Sequence, residues 1–242
     1  MDITSNTYSQ HISRQFNQEL EELKTHLMAM GGLVEKQVQD AVGALLESDS
    51  ALAERVVDND RAVNDMQIKI DEECTQVLAR RQPTASDLRL VLAVIRAASD
   101  LERIGDEASK IARNAIDLIE ADNGNRGFVE VRMISEHVRR MVRDALTSFA
   151  RLDTELALKL VHEDEEVDSE YKSAMRSLMT FMMEDARSIS SVLSVMWILR
   201  ALERIGDHAN NLAEYVVYLV KGLDIRHTDP EDLDEDMFER NG

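Results

Sequence analysis

Apolar residues recur along the first part of the chain at steps of three, four or seven: Phe16, Leu20, Leu23, Leu27, Met30, Val34, Ala41 and Leu45. That spacing predicts one long amphipathic helix. Ser48, Asp49 and Ser50 then offer caps, and a second stripe runs through Leu52, Val56, Val63, Met66, Ile70 and Val77 to Arg81-Gln82-Pro83. It stops there because proline disfavours helical geometry in the residue before it. Thr84, with Asp87 three residues on, resembles a capping box opening a third helix, whose stripe is Val91, Val94, Ala98, Leu101, Gly105, Ala108, Ala112, Ala115 and Ile119. The polar, Gly-containing run from Ala121 to Gly127 ends it.

The second half repeats the first. Val38, Asp40, Ala41, Asp49, Leu52, Ala53 and Val57 return as Val142, Asp144, Ala145, Asp153, Leu156, Ala157 and Val161, each 104 positions on. Leu101 to Asp106 returns unbroken as Leu202 to Asp207 at an offset of 101, so three residues are missing between helices two and three of the second copy. Helices joined by such short connections lie side by side. The expected fold is all-α: two tandem antiparallel three-helix bundles related by internal duplication, at residues 9–122 and 126–224. The acidic, aperiodic stretch 225–242 is read as a mobile tail.

Composition adds a bias in partners. Two Pro, nine Gly and 4% aromatics suit long helices. The net charge of −19 would repel phosphate backbones and anionic headgroups, which argues against nucleic acid and for cations or basic protein surfaces. Cys74 is the only cysteine, which precludes an internal disulfide and suits a reducing compartment; its place between Ile70 and Val77 predicts core packing. Met1 to His11 shows no secretory pattern, and the most apolar runs, Val192 to Leu199 and Tyr215 to Val220, fall far short of the roughly 20 residues that span a bilayer. A cytoplasmic protein without direct membrane insertion is expected.

Candidate chemistry lies in carboxylates. Glu102 and Asp106 stand four apart on one helix face, as do Glu203 and Asp207. Two like charges at that spacing weaken a helix by a few tenths of a kcal/mol, and Arg103 and Arg204 point about 100° away around the helix. For any single pair, solvated surface charge is the plain alternative. Register argues for more. Asp60 and Asn64 lie 23 and 19 residues before Pro83, while Glu102 and Asp106 lie 19 and 23 after it. An antiparallel hairpin turning at Pro83 therefore brings the four side chains to one height. Asp164 and Asp168 match Asp207 and Glu203 in the same way about a midpoint between Asp185 and Ala186.

Each of these residues borders the buried seam, where desolvation is partial. Three or four converging oxygens suit a hard divalent cation such as Mg²⁺, Mn²⁺, Ca²⁺ or iron. The candidate metal ligands are Asp60, Asn64, Glu102, Asp106, Asp164, Asp168, Glu203 and Asp207. His208 is read as a solvent-facing polar residue, because Glu107 holds the matching place in the first half. Gly105 and Gly206 either admit a neighbouring helix closely or are ordinary small-residue packing. Met179, Phe181, Met182, Met183, Met196 and Trp197 are read as bundle core. No Glu-x-x-His, His-Glu-x-x-His or P-loop occurs, and no nucleophile with a base is evident. The chain is not expected to be an enzyme; a metal-dependent hydrolase and a metal-free helical adaptor are the alternatives.

At Gln15-Phe16-Asn17, at Arg81 to Arg89 and above all at the doubled Glu-Arg-Ile-Gly-Asp, the chain resembles the PhoU family over residues 9 to 224. The resemblance implies two three-helix bundles, a homodimer, and Glu/Asp-x-x-x-Asp motif pairs that hold metal clusters. On that pattern Glu102, Asp106, Glu203 and Asp207 take the metal role with Asp60, Asp164 and Asp168, while Asn64 departs from the acidic pattern. The metal would be Mg, Mn, Fe or Zn. The resemblance also implies a negative regulator of the phosphate-starvation response, linking an ABC phosphate transporter to a sensor histidine kinase at the inner membrane face.

Overall fold

The computed structural model describes the backbone of residues 4–83, 85–121, 128–226 and 228, with side chains from residue 14 onward. Thr84 of the expected capping box, most of the expected boundary between bundles (122–127) and the expected acidic tail beyond residue 228 lie outside the described residues. The elements are α1 (Thr4–Glu47), α2 (Ser50–Arg81), α3 (Ala85–Glu120), α4 (Phe128–Arg151), α5 (Thr154–Glu184) and α6 (Ile189–Lys221), with a 3₁₀ turn at Ala186–Ser188 leading into α6. No strand occurs among the described residues.

The duplication is visible in the turns. Ser48 and Leu152, equivalent at the offset of 104, both take a left-handed φ of 55°. Each reverses the chain so that the next residue caps the following helix: Asp49 accepts from the Leu52 N–H at 2.9 Å and Asp153 from the Leu156 N–H at 3.0 Å. Replacing either aspartate by alanine should cost about 1 kcal/mol, seen as a lower urea midpoint. Two of the three missing residues come out of the next connection and one out of α5. α2 closes at Gln82 ahead of Pro83, whereas α5 passes through Asp185 alone into the turn at Ala186.

Ion pairs and hydrogen bonds fix the directions. α1 and α2 run antiparallel, tied by Arg81 to Glu19 at 2.6 Å and His26 to Glu73 at 2.7 Å. α4 and α5 are antiparallel too, with Ser177 donating to Glu130 at 3.2 Å. Between the halves, α3 lies antiparallel to α6 in the most extensive helix contact of the molecule, and α1 lies antiparallel to α4, where Arg143 meets Glu35 at 3.0 Å. Equivalent helices thus pair with each other, as they do across an isologous interface. At Gly31 of α1 a Cβ would run into the end of the Leu146 side chain of α4.

This packing gives α3 a second buried row. Besides the predicted stripe, Leu90, Ala93, Ala97, Asp100, Ile104, Glu107, Ile111 and Leu118 are buried; Asp100 and Glu107 of this row meet side chains of α6. Cys74 is fully buried as expected, and burial pushes its thiol up to about 12. The reading of the Met and aromatic cluster as core needs correcting. Phe181, Met182 and Met196 do pack against the core, but Met179, Met183 and Trp197 are 49%, 81% and 65% exposed. Trp197 continues the outward face of Ile189 and Leu193 at four-residue steps, and that face is exposed in the described structure.

Candidate metal centre

Each α2–α3 and α5–α6 hairpin carries one oxygen-rich set. In the first half, α2 supplies Asp60 and Asn64, and α3 supplies Glu102 and Asp106. The predicted register holds: Asp60 and Glu102 both lie within electrostatic reach of Asp106 and of each other. Burial, then repulsion from Asp106, raises the pKa of both carboxyls above the usual carboxylate range; Arg113 and Lys110 offset part of the shift at Asp60. Gly105 belongs to this locus. A Cβ there would sit 3.2 Å from Gln37 Oε1 and 3.4 Å from Val63, so it is glycine that lets α1 and α2 close on α3. At Gly206 a Cβ would meet only ordinary contacts, the nearest being Val167 at 3.6 Å and Asp164 at 3.9 Å.

The second half gathers Asp164 and Asp168 from α5 with Glu203 and Asp207 from α6. Burial and then the charges of Asp207 and Asp168 push Asp164 up to about 6. Glu203 is raised by burial and by Asp207, against the opposing effect of Arg200, with which it pairs. Asp207 is raised by burial, offset by His208 and reinforced by Asp168. Asp168 pairs with Lys172 at 3.0 Å. Sequence reasoning missed two further residues on this face. Asn210 reaches Asp164 at 3.5 Å, and Glu214 is raised to about 7, chiefly by burial. Their spacing from Glu203 and Asp207 along α6 was the available signal.

A divalent cation can be tested against this donor set. Among the described residues no group of three or more His, Cys, Asp or Glu side chains is already gathered around one point. The chemistry nevertheless fits. Asp60 Oδ1, Asn64 Oδ1, Glu203 Oε2 and Asn210 Oδ1 are all shielded from solvent without a hydrogen-bond partner. Buried oxygens in that state cost free energy that a hard cation would recover.

His208, expected to face solvent, is instead 6% exposed. It bonds Asp100 at 2.8 Å, and Asp100 also accepts from Asn211 at 3.2 Å and Tyr215 at 2.7 Å. Nearby, buried Glu107 meets Arg204 across the same contact at 2.9 Å. His208 and Arg204 adjoin Asp207 and Glu203, and Glu107 adjoins Asp106. The two loci therefore back onto one polar seam between α3 and α6.

Fold and site together define a duplicated helical-bundle protein with one carboxylate-rich locus per repeat. The PhoU domain model matches the chain twice, at residues 27–115 and 131–216. A phosphate-specific transport system accessory protein PhoU homolog of Pseudomonas putida is 60% identical over 225 residues, 93% of this chain and 88% of that protein. The crystal structure of PhoU from Pseudomonas aeruginosa superimposes with a TM-score of 0.84 at 58% identity, over 86% of this chain and all of that one. The phosphate transport system regulatory protein PhoU from Streptococcus pneumoniae gives 0.78 at 29% identity, over 86% of this chain and 98% of that one. The chain belongs to the PhoU family.

Proposed function

We propose that this protein is a negative regulator of the phosphate-starvation response that acts by contact. It couples an ABC phosphate transporter to a sensor histidine kinase at the cytoplasmic face of the inner membrane, as a homodimer, and catalyses no step itself. Divalent cations (Mg, Mn, Fe or Zn) bind at Asp60, Asn64, Glu102 and Asp106 and at Asp164, Asp168, Glu203 and Asp207. The observation that carries the reading is the pair of matching carboxylate sets with orphaned oxygens, in a chain whose relatives are named accessory proteins of phosphate-specific transport. No described helix is long and apolar enough to cross a membrane, so contact with membrane components runs through their exposed surfaces. The net charge of −19 favours basic patches on them, with association that weakens as salt rises.

Two measurements test this. Deleting the gene should leave a phosphate-starvation reporter switched on in high phosphate; a reporter that stays silent would remove the regulatory role. Saturating Mn²⁺ at a hundredfold excess over its dissociation constant should raise the melting midpoint relative to chelator by roughly 5–10 °C, given about 2.7 kcal/mol of linkage and the size of the chain. Equal midpoints would leave the carboxylates as plain surface charge.

A further inference from the structure

The seam between α4 and α5 holds a polar group that the duplication does not account for. At the offset of 104, His137, Glu163 and Glu170 stand where the first half has Leu33, Asn59 and Met66, and Leu33 and Met66 pack against the core there. His137 is 7% exposed, and no described hydrogen bond reaches it. Its ring lies between two carboxylates of α5, with Nδ1 3.5 Å from Glu170 Oε2 and Nε2 3.9 Å from Glu163 Oε2. Both gaps exceed the roughly 2.7–2.9 Å of a charge-assisted hydrogen bond. Nε2 and Glu170 Oε2 are shielded from solvent without partners. Glu163 and Glu170 share the side of α5 that faces α4, whereas Asp164 meets Asn210 of α6 at 3.5 Å. This seam is therefore separate from the carboxylate locus between α5 and α6.

Two donors bound to one tetrahedral Zn²⁺, at about 2.0–2.2 Å each, lie roughly 3.3–3.5 Å apart. The gap of 3.5 Å between His137 Nδ1 and Glu170 Oε2 has that width. Beside Glu170 runs a groove lined by Glu130, Met133, Ser173 and Ser177, which gives an ion a way in and room for the waters that complete its shell. Across the ring, Glu163 faces Nε2, the place of the carboxylate that orients a ligating imidazole and raises its basicity. The other oxygen of Glu163 meets Lys159 at 3.4 Å. We propose that His137 Nδ1 and Glu170 form a site for a single Zn²⁺ ion, with Glu163 as the positioning residue that faces the Nε2 proton. An imidazole donor suits Zn²⁺, whereas Mg²⁺ and Ca²⁺ take oxygen ligands, so this site differs in chemistry from the all-oxygen loci. With two protein ligands and open positions it suits exchangeable zinc, since a structural zinc ion is closed off by four. It stands whether or not the carboxylate loci take metal.

Zn²⁺ titration of the full chain in excess Mg²⁺, followed by calorimetry and by the ¹⁵N resonances of the His137 ring, tests it. The Nδ1 resonance should move with Zn²⁺ and stay in place with Mg²⁺ alone. His137→Leu and Glu170→Met, which copy the first half, should each bind one Zn²⁺ fewer per chain, and Glu163→Gln should weaken that ion about tenfold. Glu203→Gln with Asp207→Asn should leave the His137 response unchanged. A His137 ring that Zn²⁺ does not move, or a His137→Leu chain that binds as many Zn²⁺ ions as wild type, overturns the site. Loss of the His137 response in Glu203→Gln with Asp207→Asn assigns the ion to the carboxylate locus and overturns it as well.

Discussion

Replacing Asp100 by alanine is expected to lower the unfolding free energy by about 3–5 kcal/mol, the range for breaking one partner out of a buried charged network. Its carboxylate lies 6% exposed between α3 and α6 and accepts from His208, Asn211 and Tyr215. Removing it leaves three donors of α6 without their acceptor, each carrying a desolvation cost of about 1–3 kcal/mol that water entering the gap offsets in part. Tyr215→Phe deletes one donor and should cost only about 1–1.5 kcal/mol. Urea unfolding measures both as a shift in midpoint at constant slope. A loss below about 1 kcal/mol for Asp100→Ala would mean that the seam is held by its apolar neighbours alone.

In chelator, stability should fall as pH rises from about 5 to 8, opposite to the usual behaviour of paired carboxylates. Asp164 and Glu214 have native pKa values of about 6 and about 7, above their ordinary values, so the native state holds protons that the unfolded state has released. Through that window each unit of pH disfavours the native state, and the penalty is complete once pH exceeds the native values. Each group accounts for roughly 3 kcal/mol at most, less where water and neighbouring charges relax. Asp224, held near 2 by Arg226, acts in the opposite sense but only below about pH 4. Saturating Mn²⁺ should flatten the part of the dependence that Asp164 carries, since a cation bound at its locus displaces that proton. Melting between pH 5 and 8 with and without the ion reads the difference directly, and parallel curves would detach Asp164 from cation binding.

The hairpin register was legible because symmetry about Pro83 and about Asp185–Ala186 depends only on helix rise, and loss of three residues around the turn leaves it intact. What escaped was everything set by the contact between halves. The stripe of α3 reads as one face, yet Asp100, Ile104 and Glu107 are buried on another, and nothing in a 3.6-residue period says that α6 will cover it. His208 was misjudged for the same reason, since its partner lies 108 residues away in the other half. The error at Met179, Met183 and Trp197 runs the other way: apolar composition implies a neighbour, but in the described structure the outward faces of these helices are left exposed.

Because α3 pairs with α6 and α1 with α4, the chain is arranged as a symmetric dimer whose protomers have been joined end to end. In a true homodimer every substitution is made twice, so a buried aspartate at one position brings its twin across the axis. Fusion lifts that restriction. Asp100 faces His208 while the equivalent positions hold Ala201 and Glu107, and Arg113 stands opposite Glu214 in the alignment of halves. The joined chain can thus keep one copy conservative and let the other diverge, giving two related loci with unequal charge inside a single cooperative core.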